Sequence, residues 1–315
     1  MVWGYPGERV FRHEALLYSG SDEFSDACVP FIREGVEAGE PVLVMVPGAK
    51  LDALRAGLDG QADRVHFADM EAVGANPARI IPAWRRFVDD QSLTGRPMRG
   101  IGEPIWAGRS PDELVECQHH ESLLNLAFAG APAFHLLCPY DLEALGPAVV
   151  QGAHRTHPYV VRGGERAASA DYRSPDGLAA PPGEPLAEPP VRPDTMRFRA
   201  ATLDRMRRLV HDRAVEAGLV RTRVFDLVLA VNEAATNSVR HGGGAGRLRI
   251  WREARTLVCE VRDTGLIAEP LVGRHRPEDG TVGGHGLWLV NQLCDLVQVR
   301  SSPTGSVVRV HMRRA

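Results

Sequence analysis

Over the first half of this chain, short and fully apolar runs alternate with helical spacings. Ala15-Leu16-Leu17-Tyr18, Val42-Leu43-Val44-Met45-Val46 and Phe134-His135-Leu136-Leu137-Cys138 read as buried strands, with further strands at 64–68 and 98–104. Phe24, Cys28, Phe31, Ile32 and Val36 follow the 3.6-residue period of a helix, with Asp22 as its cap and Gly39 as its stop. Leu51, Leu54 and Leu58 predict a second helix, and residues 77–88 a third. Pro111 opens a fourth helix through Leu114, Val115 and Leu124, and a last helix is expected near Leu142. Strands that are apolar at every position must be covered on both faces. The pattern therefore predicts an α/β domain with a mostly parallel sheet.

The second half is ordered differently. Helical periods come first, at 199–217 and 223–241, the latter with Val224, Val228, Val231 and Ala235 as its apolar stripe. Strand patterns follow at 247–251 and 256–262, then a helix at 286–294, then strands at 296–301 and 306–312. Helices grouped ahead of an antiparallel-looking strand set predict an α/β sandwich with helices on one face. Between the halves, residues 162–194 contain Gly163-Gly164, Pro181-Pro182-Gly183 and Pro189-Pro190 and almost no bulky apolar side chain. Such a segment cannot repay its ordering entropy and reads as a linker. The expected organisation is an N-terminal domain at 8–161, a linker at 162–194 and a C-terminal domain at 195–315.

Composition narrows the function classes. The formal net charge is −3, with Arg interleaved among Asp and Glu, which argues against a nucleic-acid surface. No apolar run approaches the roughly 20 residues of a membrane span. Met1-Val2-Trp3-Gly4-Tyr5-Pro6 lacks the basic-then-apolar pattern of a signal peptide. Five scattered cysteines, at 28, 117, 138, 259 and 294, suit reduced thiols in a cytoplasmic protein.

Three segments carry candidate chemistry in the C-terminal half. On the helix at 223–241, Glu233, Asn237, Arg240 and His241 lie three to four residues apart, on a different face from the apolar stripe. A carboxamide oxygen is a hard ligand suited to Mg²⁺, and a carboxylate one turn away can take a proton from an attacking group. The same face also suits plain solvation. Asp263-Thr264-Gly265 follows a strand, where a carboxylate can accept an adenine amino group and a glycine admits the base, although this is also ordinary turn chemistry. Gly283-Gly284-His285-Gly286 runs into a helix carrying Leu287, Leu289, Val290 and Leu293, and glycines before a helix expose N–H groups to an anion.

In this order and spacing, the three segments resemble the nucleotide-binding boxes of the GHKL ATPase superfamily. Glu233 with Asn237 resembles the first box, Asp263 with Gly265 the second, and Gly284, His285, Gly286 and Leu287 the third. The second box departs from the family pattern, since its last glycine is Ile267 here. Within the superfamily the chain most resembles the anti-sigma-factor serine/threonine kinases. That resemblance implies a GHKL-type α/β sandwich that binds ATP and Mg²⁺, with Glu233 as general base and Asn237 as the Mg²⁺ ligand. The remaining nucleotide contacts would be His241, Asp263, Gly265, Gly284, His285, Gly286 and Leu287. The implied partners are a sigma factor and/or its antagonist protein, and a homodimer is compatible with this reading. Two alternatives stand beside the kinase: a non-catalytic ATP-holding protein that sequesters partners, and an atypical sensor histidine kinase with His211 as phosphoacceptor.

In the N-terminal half, His13-Glu14-Ala15-Leu16-Leu17-Tyr18, Pro30-Phe31-Ile32-Arg33-Glu34-Gly35, Leu137-Cys138-Pro139-Tyr140-Asp141 and His154-Arg155-Thr156-His157-Pro158 resemble the MEDS sensory domain. That resemblance implies a RecA-like fold without a phosphate-binding loop and recognition of a small organic ligand. His13, Glu103, Trp106, Cys138, Tyr140 and His157 are the ligand-contact candidates because they fall at or near strand ends. Each also has a plain structural role open to it. Cys117, His119 and His120 do not form a metal site, since positions 117 and 119 point about 200° apart on a helix.

Overall fold

The computed structural model describes residues 11–174, 182, 184–277 and 284–314. The chain forms two compact units, Met1–Gly177 and Leu178–Ala315.

The N-terminal unit runs β1 (Phe11–Tyr18), α1 (Gly20–Glu37), β2 (Val42–Val46), α2 (Gly48–Gly57), β3 (His66–Asp69), α3 (Met70–Val73), α4 (Ile80–Ser92) and β4 (Met98–Gly102). It continues through α5 (Pro111–Ala127), β5 (Phe134–Asp141), α6 (Pro147–Thr156), β6 (Tyr159–Arg162) and β7 (Glu165–Ala168). The sheet order is β3-β2-β4-β5-β1-β6-β7. Every pairing is parallel except the last, β6 with β7. A mostly parallel sheet between helices is the architecture the apolar strands demand. On one face Leu16, Val44, Ile101, Leu137 and Val161 pack under Phe24, Phe31 and Ile32 of α1 and Leu51 and Leu54 of α2. The helix expected near Leu142 is instead a turn, and the helix starts at Pro147, whose fixed φ suits a first helical position.

The C-terminal unit runs β8 (Asp194–Arg199), α7 (Leu203–Glu216), α8 (Arg221–His241), β9 (Ala245–Glu253), β10 (Thr256–Asp263), α9 (His285–Leu293), β11 (Leu296–Ser302) and β12 (Gly305–Arg313). Its sheet, in the order β11-β12-β10-β9-β8, is antiparallel throughout. Helices cover one face: Met206, Val210, Val224, Leu227, Val231, Ala235, Leu287 and Val290 pack on Leu248, Ile250, Cys259, Val261, Val308 and Val310. The inward stripe of α8 is centred on Leu227, Ala234 and Ser238, with Val228 only partly buried.

The segment expected to be a linker is structured at both ends. Gly163 and Gly164, at φ 54 and 85, form the two-residue turn between β6 and β7. Two successive positive φ values match the right-handed twist of a hairpin, and glycine reaches them without strain. At the other end, Ala187 and Glu188 bond to the polar face of the C-terminal sheet. There the fully buried Glu260 carboxylate accepts from Arg249 at 2.7 Å, Arg262 at 2.5 Å and Arg309 at 2.7 Å. Arg249 also reaches Glu188 at 2.6 Å, and Arg309 the Ala187 carbonyl at 2.7 Å. Three guanidiniums carry more donors than one carboxylate can satisfy, so a chain with little apolar content is held here by polar contacts.

Candidate functional site

Two clusters of chemistry stand out, one in each unit. In the C-terminal unit, α8 brings Glu233 and Asn237 to the same side, one turn apart. The N-terminus of α9 lies against them. A Cβ placed on Gly286 would sit 2.9 Å from Asn237 Nδ2 and 3.4 Å from Glu233 Oε2. A methyl group would displace the Asn237 amide and touch the Glu233 carboxylate, so the glycine brings the start of α9 close to both side chains. Gly284 takes the left-handed φ of 79 just ahead of α9, and no side chain caps this helix. The first-turn N–H groups of a helix favour an anion. Leu287, at 8% exposure, anchors the same turn in the core, while His285 is exposed. Gly283 lies outside the described residues.

Asp263 ends β10 beside the last turn of α8. Its Oδ1 accepts from Ser306 Oγ and from the Gly265 N–H, both at 2.8 Å, and its Oδ2 from Ser238 Oγ at 2.5 Å. With two lone pairs per oxygen, Oδ2 keeps one acceptor position. The backbone crowds this carboxylate. A Cβ on Gly242 would lie 2.4 Å from its Cγ, and one on Gly265 would lie 2.7 Å from the His241 carbonyl oxygen. The side chain of His241 is exposed at the end of α8. Ile267 packs against the core, and its N–H donates to Ser301 Oγ at 2.8 Å. His211 lies half-exposed on α7 beside Asp212.

In the N-terminal unit, the six ligand-contact candidates separate. Glu103, just past β4, accepts from Tyr18 Oη at 2.8 Å and from Lys50 Nζ at 2.5 Å. Burial raises the pKa of Glu103 in spite of Lys50 and Tyr18. Burial and the Glu103 charge push the Tyr18 hydroxyl far above its usual range. Beside this group, a cavity of about 270 Å³ is lined by Leu16, Leu17, Tyr18, Glu23, Asp26 and Ala27, among others. Trp106 stands apart, with the Arg109 guanidinium 3.8 Å from its ring centre.

His13, Cys138, Tyr140 and His157 do come together. The parallel pairing of β1 with β5 sets His13 beside Leu136, so His13, Cys138 and Tyr140 share one sheet face. A fifth residue, Glu121 of α5, completes the group, at 3.1 Å from His13 Nε2 and 3.3 Å from His157 Nε2. Burial and His157 lower the His13 pKa to about 4, against the opposing pull of Glu121. For Glu121, burial pushes upward, but the two histidines outweigh it and hold the carboxyl well below its usual range. Burial raises both the Cys138 thiol and the Tyr140 hydroxyl. Sequence reasoning missed Glu121 because a charged residue on a helix reads as solvated. The signal was the composition of α5, which buries Glu113, Glu116, His120 and Glu121 and exposes Val115. Cys117 donates to the Pro104 carbonyl at 3.3 Å, away from this group.

Comparison with known proteins places both units. Residues 12–158 match the family model of the MEDS domain, the methanogen/methylotroph DcmR sensory domain. Residues 196–312 match the histidine kinase-like ATPase domain. The RsbU and RsbW domains of Rv1364c from Mycobacterium tuberculosis are similar at 15% identity and a TM-score of 0.29, over 38% of this chain and 32% of that one. This match thus spans about a third of that protein chain. The histidine kinase AdeS of Acinetobacter baumannii is similar at 16% identity and a TM-score of 0.22, over 39% of this chain and 68% of that one. No curated protein matched. The chain thus joins an N-terminal MEDS domain to a C-terminal histidine kinase-like ATPase domain.

Proposed function

We propose that this protein is a signalling regulator whose C-terminal unit binds Mg-ATP and phosphorylates a serine or threonine of a partner protein. The observation that carries this reading is the approach of Gly286 to Asn237 and Glu233. It sets a carboxamide and a carboxylate against an uncapped helix N-terminus. The residues fit the group. Asn237 offers a hard oxygen to Mg²⁺, the first turn of α9 offers N–H groups to phosphate, and Asp263 keeps an acceptor position for the adenine amino group. Bound Mg-ATP supplies the γ-phosphoryl group. Glu233 takes the proton of the attacking hydroxyl as the new P–O bond forms and the bond to the ADP oxygen breaks. The partner in this reading is an anti-sigma-factor antagonist protein and/or a sigma factor. A small organic ligand held by the N-terminal unit, in the cavity beside Tyr18, sets the activity.

A second reading is favoured by Ile267. Its side chain and its N–H fix the stretch after Asp263 where the superfamily pattern has a glycine. In that reading the unit holds ATP and sequesters its partner without phosphate transfer. Incubating the full chain with γ-labelled ATP, Mg²⁺ and a candidate antagonist protein separates the two. The kinase transfers acid-stable label, and Glu233→Ala cuts transfer at least a hundredfold while ATP still binds. Binding without transfer, in wild type and variant alike, rejects the kinase. Acid-labile label that disappears in His211→Ala would instead mark a histidine kinase.

A further inference from the structure

Four side chains from four separate stretches of the N-terminal unit converge on one point. His13 lies in β1, Cys138 in β5, Glu121 on α5 and His157 at the end of α6. All four are buried, and one potential ligand atom from each lies within 4.8 Å of every other. His13 Nε2 is 3.1 Å from Glu121 Oε2 and 3.3 Å from Cys138 Sγ, and His157 Nε2 is 3.3 Å from the same Glu121 oxygen.

The hydrogen bonds around His157 ask for a cation. Its Nδ1 lies 2.9 Å from the Ala153 carbonyl oxygen, which can only accept, so the ring proton belongs on Nδ1. The Nε2 lone pair then faces a carboxylate oxygen and has no hydrogen-bond partner among the described residues. Two acceptors facing each other in a dry interior are costly. A positive charge between them removes the conflict, supplied either by a second ring proton on Nε2 or by a metal ion, and the Cys138 thiol beside His13 suits the metal. An ion with bonds of roughly 2.0–2.3 Å to nitrogen, oxygen and sulfur spaces tetrahedral ligand atoms about 3.3–3.8 Å apart. Two of the three short spacings, at 3.3 Å, fall at the lower edge of that range, and the third, at 3.1 Å, lies just below it. The Nδ1–H bond from His157 to a backbone carbonyl is also the outer-shell contact that orients a ligating imidazole.

We infer that His13, Glu121, Cys138 and His157 form a closed tetrahedral binding site for one divalent transition-metal ion of the zinc type. Two imidazoles, a thiolate and a carboxylate suit zinc and its neighbours rather than Mg²⁺ or Ca²⁺, which take oxygen ligands. Four protein atoms fill the coordination sphere, so the site is structural and leaves no open position for a substrate. Binding breaks the Cys138 S–H bond, forms the sulfur–metal bond and releases the proton to solvent. The ion ties β1, β5, α5 and the end of α6 together. The same geometry takes His13, Cys138 and His157 out of the organic-ligand contacts, because the four atoms enclose room for a single ion.

The test uses the full-length chain, stripped with a chelator, desalted and titrated with Co²⁺. One Co²⁺ per chain should give the strong visible absorption of a tetrahedral site and a near-ultraviolet thiolate-to-cobalt band, both erased by Zn²⁺. Cys138→Ser should remove the thiolate band, and Glu121→Gln should weaken Co²⁺ binding at least tenfold. Failure to bind stoichiometrically, a weak octahedral spectrum, or a thiolate band that survives Cys138→Ser overturns the site. Zinc X-ray absorption on the wild-type chain decides the matter even where a variant misfolds. One sulfur neighbour among nitrogen and oxygen supports the site, and a shell without sulfur refutes it.

Discussion

A side chain at Gly286 would meet the Asn237 amide at 2.9 Å. The nearest atoms to a Cβ there belong to Asn237 and Glu233, the two side chains proposed for metal and proton chemistry. Gly→Ala inside a helix ordinarily adds roughly 0.5–1 kcal/mol of stability through backbone entropy. Gly286→Ala therefore separates two roles. It should leave the melting temperature of the nucleotide-free chain unchanged or slightly higher, while ATP affinity falls about tenfold, or ~1.4 kcal/mol, as Asn237 is displaced. Calorimetric titration beside a thermal melt measures both. Unchanged affinity would mean that the helix end does not serve the nucleotide. Asp263 teaches a related lesson. An Asp-Thr-Gly sequence reads as a turn, and only the folded chain shows Ser238, Ser306 and the Gly265 N–H fixing the carboxylate while leaving one acceptor position.

Elements differ in how plainly the sequence announces them. The helices α8 and α9 are legible because apolar residues recur at helical spacing and glycines mark the start of α9. The edge strand β8 is not, because only Phe198 of its six residues is deeply buried and its outward residues look like linker. The helix α5 misleads for the opposite reason, since its buried face is polar and its Val115 is exposed. Glu121 and its distant histidines acquire meaning only when the sheet order sets β1 beside β5. On β12, His311 lies against Gln298 of β11 at 3.0 Å, and burial, aided by Arg309 and Arg313, lowers its pKa to about 4. Between that value and the ordinary 6.5, the unfolded chain binds a proton that the folded chain refuses. Stability from this group is complete above the unfolded pKa and is lost as pH falls toward 4, by at most about 3 kcal/mol. Thermal melts from pH 7 to pH 4.5 should therefore show a shallower loss of melting temperature for His311→Gln than for wild type. Parallel pH profiles would show that His311 is not the group responsible.

At the scale of the whole molecule, the chain joins a sensory-type domain to an ATPase-type domain, and each unit carries its own polar centre. Among the described residues, no helix is long and apolar enough to cross a membrane. The function proposed for the chain rests on the end of α8, which meets the start of α9 through Asn237 and the end of β10 through Ser238. Any ligand that binds only the folded state stabilises it by mass action, by ~2.7 kcal/mol at a hundredfold excess over Kd. The most direct measurement is therefore calorimetric titration of the full chain with ATP in the presence of Mg²⁺, for wild type and for Asp263→Asn. One saturable site per chain is expected in wild type, with at least a tenfold loss of affinity in the variant, whose amide no longer offers the same acceptor to adenine. Absence of binding by wild type, or equal affinity in the two proteins, would contradict this expectation.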